Sequence, residues 1–168
     1  IEHWRFDHDD ATKYFSEIPG GHPLIKGFGV VSALDDFSAT NRAATFDGVD
    51  DYMMSRSTDV FSRSFSISSW ARKTANGRVQ WILHTGAAAA LNRVVGFGFA
   101  SDDRFYFAFG SNDLLTGGQG DLEWHHWTAT FNADTRARRI YRDGTLIASD
   151  TSSVVPNVTG PIIVGARK

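Results

Sequence analysis

The stretch "FDGVDDY", residues 46 to 52, sets Asp47, Asp50 and Asp51 within five positions of one another. Carboxylates this close repel each other and are poor strand formers, so their clustering needs a reason. A hard cation such as calcium is one: it takes about six to eight oxygens, of which these three side chains and nearby turn carbonyls could supply part. Asp7, Asp9 and Asp10, or Asp35 and Asp36, are the other carboxylates within reach of such a shell. The alternative is a polar turn, in which Asp47 and Gly48 bend the chain through side-chain to backbone hydrogen bonds while Asp50 and Asp51 stay in water. An EF-hand is excluded, because its Asp-x-Asp-x-Asp-Gly spacing and closing Glu are missing.

Two further constellations carry potential chemistry. "GDLEWHH" puts Asp121 and Glu123 on one side of an extended segment, about 6.6 Å apart along the chain. That falls inside the roughly 5 to 9 Å separation that glycoside hydrolysis asks of its carboxylate pair. His125 and His126 follow at once, but adjacent strand residues point to opposite faces and cannot readily share a zinc ion. No G-x-S-x-G elbow, phosphate loop or dinucleotide fingerprint leading into a helix occurs.

These groups must be positioned by strands. Helical periodicity is nearly absent, "GAAAALNR" (86 to 93) being too short to count as more than a turn or loop. About eleven short alternating runs separated by turn residues predict an all-β, two-sheet antiparallel β-sandwich of jelly-roll type. Asn76-Gly77 and Asp143-Gly144 read as two-residue hairpin turns, since both dipeptides accept positive φ. Residues 18 to 41, rich in turn formers, read as a surface excursion with at most one strand near Gly29 to Ser32.

Alternation then sorts side chains onto faces. Phe65, Ile67, Ser69 and Ala71 take a core face, as do Phe105, Phe107 and Phe109, and Trp127, Ala129 and Phe131. Val79, Trp81 and Leu83 are read the same way, with Gln80, Ile82 and His84 opposite. The wetter faces carry Trp70, Arg72, His84, Tyr106 and His126. Aromatic rings among hydroxyls and cations suit a sugar, whose apolar face stacks while its hydroxyls need polar partners. The bland alternative is an ordinary set of cross-strand pairs on a wetted sheet.

Composition bounds the rest. With 168 residues, 42% hydrophobic and 13% aromatic, the chain can bury one sizeable core and reads as a single domain, 1–168. A net charge of −2, with no basic cluster longer than "RARR" (136 to 139), gives no footprint for nucleic acid. Cysteine is absent, so disulfides and thiolate metal sites are out. No apolar run approaches the roughly 20 residues of a membrane span. The chain opens on Ile1 rather than Met, which reads as a processed or excised segment.

"HWRFD", "AATFDGVDDYM", "FSISSWARK", "WHHWTATFNADTRARRIYRDGTLIAS" and "GPIIVGAR" together resemble, in order and spacing, the laminin-G-like jelly-roll domain of the concanavalin A-like lectin/glucanase superfamily. The resemblance implies a non-catalytic carbohydrate-binding or adhesion module, supported by calcium and located outside the cell or on a cell or virion surface. Its partner would be a glycan, or a neighbouring protein subunit in a phage, viral or filament assembly. The glucanase pattern Glu-x-Asp-x-x-Glu is missing. The sequence stops at Lys168, before the last strand that relatives lay beside the N-terminal one; either the chain is cut short there, or "HWRFD" has an exposed edge able to attract another chain.

Overall fold

The computed structural model describes residues 3–9, 12–27, 29–34, 42–58, 60–86 and 91–166. Among them, strands numbered in chain order form two large antiparallel sheets. The nine-stranded sheet runs β1 (Trp4–Asp9), β2 (Lys13–Ser16), β3 (Leu24–Lys26), β6 (Met53–Thr58), β15 (Gly160–Val164), β8 (Gln80–Gly86), β9 (Val94–Phe99), β10 (Arg104–Ala108), β11 (Asp113–Gly118). The four-stranded sheet runs β14 (Thr145–Thr151), β13 (Ala137–Arg142), β12 (His125–Phe131), β7 (Phe65–Ala71), and β4 (Val31–Leu34) pairs with β5 (Arg42–Thr45) alone.

The core lies between the two large sheets, where the period-two pattern put it. Phe97, Phe99, Phe105, Phe107 and Phe109 meet Ile67, Trp127, Ala129, Phe131 and Ile140. Phe105 and Trp127 stack in parallel with centroids 4.1 Å apart, while Phe99 meets Trp127 edge-on at 5.3 Å. Such geometry adds to the burial of ring area because the π quadrupoles are complementary. A smaller cluster of Tyr14, Leu24 and Met53 continues this layer, and Trp4 and Val164 pack against both clusters.

Three local expectations meet different outcomes. Asp143-Gly144 turns β13 into β14, with φ of 51° and 79° and Arg142 opposite Thr145, as a type I′ turn requires. Asn76-Gly77 does not make a hairpin, because β7 and β8 belong to different sheets. Lys73 explains the crossing: its buried ammonium bonds Asn76 Oδ1 at 2.7 Å, Asp103 at 3.1 Å and the Gln119 carbonyl. With the Gly77 amide, which donates to Asp103 at 3.0 Å, these bonds tie residues 73 to 77 to the turn after β9 and to the end of β11, away from the β7 edge. The 18–41 region holds two strands rather than at most one, β3 being retained because Leu24 is fully buried; residues 35–41 lie outside the described residues, as do 87–90 of "GAAAALNR".

A fourth difference matters for function. Between Trp81 and Leu83 the β8–β9 register shifts, Trp81 facing Gly98 and Leu83 facing Phe97. The extra residue, Ile82, turns with the bulge toward the core, and Trp81 swings to the outer face. Trp81 is therefore not a core residue on the side of Leu83, as strict alternation predicts.

Candidate functional site

The outer face of the four-stranded sheet is a grid of hydroxyls with an aromatic end. Pairing sets Ser66 opposite Thr130, Ser68 opposite Thr128 and Trp70 opposite His126, while Tyr141 and Arg139 face Thr128 and Thr130 from β13. Small hydroxylated residues form this face because only its reverse is packed against the core. Trp70 is 53% exposed, its ring 5.4 Å from that of His126. Just beyond the strand end, the Arg72 guanidinium lies 5.4 Å from the Trp124 ring centroid, within cation–π range. Trp70, Arg72, Trp124 and His126 thus make one platform.

The other two sequence candidates are elsewhere. His84 and Tyr106 sit on the outer face of the nine-stranded sheet, the opposite side of the sandwich, so the five residues do not form one site. Nor are these two open to solvent, at 0% and 6% exposure. The reason is Trp81, brought to this face by the bulge: its ring lies 5.1 Å from His84 and 4.7 Å from Tyr106, edge-on to each. Gly96 beneath it has no Cβ, and one placed there would come 2.2 Å from the indole.

At the far end of the hydroxyl grid from Trp70 lies a shallow groove of about 480 Å³, lined by Ser66, Thr130, Asn132 and Arg139 among others. Near Trp70 the rim is ionic instead. His125 Nδ1 lies 2.6 Å from Asp143 Oδ2 and its Nε2 3.0 Å from Asp121 Oδ1. Arg142 donates to Asp121 and to Gln119 at 2.6 Å each, and the His126 amide donates to Asp143 at 2.9 Å. Burial pushes the Asp121 carboxyl up, but Arg142, the Glu123 amide and His125 outweigh it and hold it below the ordinary carboxylate value. Asp143 is likewise pushed up by burial and held low by the His126 amide, His125 and Arg142.

The Asp47, Asp50 and Asp51 oxygens come within 4.8 Å of one another. Asp47 Oδ1 accepts from the amides of Val49 at 2.8 Å and Asp50 at 3.4 Å, and the Asp47 amide donates to Asp51 Oδ2 at 2.9 Å. The amides aimed at it, Val49 first, outweigh burial and hold the Asp47 carboxyl below its ordinary value. The polar turn foreseen from the sequence is therefore present, with Asp51 buried rather than solvated. Asp51 Oδ1 has no hydrogen-bond partner among the described residues. Asp10, Asp35 and Asp36, and the side chains of Asp7 and Asp9, lie outside the described residues.

A model of laminin-G-like domains, described as concanavalin A-like lectin/glucanases superfamily, matches residues 47–168. The chain belongs to this superfamily. The match takes in the aspartate turn, all four strands of the hydroxyl face and the ionic rim. No match to a curated protein sequence was found. Among solved structures, a β-1,3-1,4-glucanase (lichenase) from a mouse hindgut metagenome aligns over 95% of this chain and 82% of its own, with 13% identity and a TM-score of 0.49. A Bacillus licheniformis β-glucanase aligns over 89% and 68%, at 13% identity and 0.46. A Bacillus subtilis carbohydrate-binding module aligns over 84% and 87%, at 16% identity and 0.45.

In this member of the superfamily, Trp124 is the platform residue that sequence reasoning passed over. The signal was present: counting back two from His126 places it on the same face, opposite Arg72. It is missed because the alternation along "WHHWTATFN" is read from His126 onward, which leaves Trp124 at its start without a face. The described residues include no helix long and apolar enough to cross a membrane.

Proposed function

We propose that the chain is a non-catalytic glycan-binding module whose platform is Trp70, Arg72, Trp124 and His126. The observation that carries this reading is Trp70 itself, a large apolar ring left half in solvent on a face otherwise made of hydroxyls. Leaving an indole exposed forgoes its burial, which would stabilise by about 2 kcal/mol or more; stacking on a sugar ring recovers that contact in the complex. Ser68, Thr128 and Tyr141 are then placed to exchange hydrogen bonds with the sugar hydroxyls. Membership of a superfamily that includes lectins supports the same reading, and a location outside the cell or on a cell or virion surface is part of the proposal.

The non-catalytic half of the proposal is supported by Asp121. A general acid must hold a proton, whereas Asp121 is held ionised by Arg142 and engaged by His125. Screening wild type and Trp70→Ala on a glycan array tests the platform: the variant keeps its fold and loses binding. Unchanged binding by the variant would remove Trp70 from the site.

Calcium belongs to the same proposal. The fit rests on the buried Asp51 Oδ1, an oxygen with an unmet need, beside two exposed carboxylates. Asp47, Asp50 and Asp51 would hold the ion, which would neutralise their mutual repulsion and stiffen this turn. Titration calorimetry with calcium chloride should show uptake, and chelator should lower the melting temperature. Heat-silent titration together with an unchanged melt would leave the turn as a purely hydrogen-bonded one.

A further inference from the structure

The charges of the described residues are distributed unevenly. Lys73 pairs with Asp103, Arg104 with Asp102, Arg138 with Asp150 and Arg142 with Asp121. Arg139 has no such partner: it stands exposed on the hydroxyl face, lines the groove at the end far from Trp70, and makes no ion pair among the described residues. The strands of this sheet contain a single carboxylate, Asp150. It points inward, where both its oxygens are taken by Arg138 at 2.9 and 2.6 Å. The strands of the hydroxyl face thus present one cation, Arg139, without counter-charge among the described residues, on a chain whose net charge is negative.

The groove around Arg139 has the chemistry of an anion subsite. Arg139, Thr130 and Ser66 stand in one row across three paired strands, which sets hydroxyl donors to one side of a planar fork of N–H groups that fits a carboxylate or sulfate in two-point fashion. From this groove to Arg72 at the other end, β7 covers six residues, about 20 Å of extended chain. That length suits an oligosaccharide rather than one ring, with aromatic stacking at one end and charge recognition at the other.

We propose that the glycan taken by this face is anionic, and that Arg139 in the groove with Ser66 and Thr130 seats a carboxylate or sulfate of a sugar lying along β7 from the Trp70 platform. This inference rests on the glycan reading above and adds a second, charge-reading subsite to it. Selectivity arises because a neutral sugar gains only ordinary hydrogen bonds from Arg139, whereas an acidic one gains stronger charge-assisted ones at a point where no carboxylate of the described residues is paired with the guanidinium.

The test is titration calorimetry of the whole chain with galacturonate oligomers, with the same oligomers methyl-esterified, and with a sulfated galactan oligomer. The wild type is expected to bind an acidic oligomer about tenfold or more tightly than the ester, a difference that shrinks as salt rises. Arg139→Gln is expected to erase that preference while leaving ester binding and the melting temperature unchanged. Tight binding of the sulfated oligomer with the same dependence on Arg139 assigns the subsite to sulfate rather than carboxylate. Retention of the preference in Arg139→Gln overturns the subsite, and so does equal binding of acid and ester lost together in Trp70→Ala, which would leave the glycan platform standing. Competition by poly-glutamate as effective as the uronate oligomer would show that charge alone is read, and also overturns it. If no oligomer of any charge binds, the glycan reading falls with it.

Discussion

Two outer faces of one sandwich carry the same ingredients and end differently. On the nine-stranded sheet a tryptophan, a histidine and a tyrosine, Trp81, His84 and Tyr106, close on one another edge to face and His84 and Tyr106 are buried. On the four-stranded sheet Trp70 and His126 touch, yet the indole stays half exposed. The difference lies in what the rings rest on. Gly96 leaves the space that the Trp81 ring fills, while Ser68 and Thr128 give Trp70 only a polar floor. Glycine lets an aromatic be absorbed into the fold; hydroxyls keep it available for a partner.

Breaking the closed face should have the largest effect. Trp81→Ala removes a ring packed on Gly96, His84 and Tyr106, and is expected to cost about 3 kcal/mol, read as a lower denaturation midpoint. An undiminished midpoint would mean that Trp81 does not close that face. At intermediate scale, acid should separate the two regions, because the open face alone is backed by an ionic rim. Asp121 and Asp143 have folded values below the unfolded carboxylate value of about 3.9. Their contribution is thus fully present above that pH and lost as pH falls through the lower folded values. Amide exchange at His125 and His126 should accelerate below about pH 4 before exchange at Gly96 and Gly98 does, and Asp143→Asn should weaken that difference. Simultaneous acceleration in both places would show that the rim is not what supports the open face. The smallest effect on stability is expected from Trp70→Ala, within about 0.5 kcal/mol by thermal melt; a loss of several kcal/mol would make Trp70 a packing residue.

Much of this was legible in the sequence. Alternation alone placed Phe105, Phe107 and Phe109 against Trp127, Ala129 and Phe131, since period two is a local property of each strand. Asp143-Gly144 was legible for the same reason. Asn76-Gly77 carries an equally good turn signal, but which sheet β8 joins is decided by the buried Lys73, whose partners Asp103 and Gln119 are 30 and 46 positions away. Sequence spacing does not show that. The bulge at Ile82 was hidden too, because one extra residue inverts every face before it without altering composition. That single inversion sent Trp81 outward over His84 and Tyr106, while the split of the five ligand candidates follows from β8 and β10 joining one sheet and β7 and β12 the other.

Backbone amide shifts recorded during titration with the galacturonate oligomer would locate the glycan directly. Perturbations at Ser66, Ser68, Trp70, His126, Thr128 and Arg139, with Gly96, Gly98 and Tyr106 unmoved, are the result expected for a binding surface on the four-stranded sheet. Shifts confined to Gly96, Gly98 and Tyr106 would contradict it and place recognition on the face that Trp81 covers.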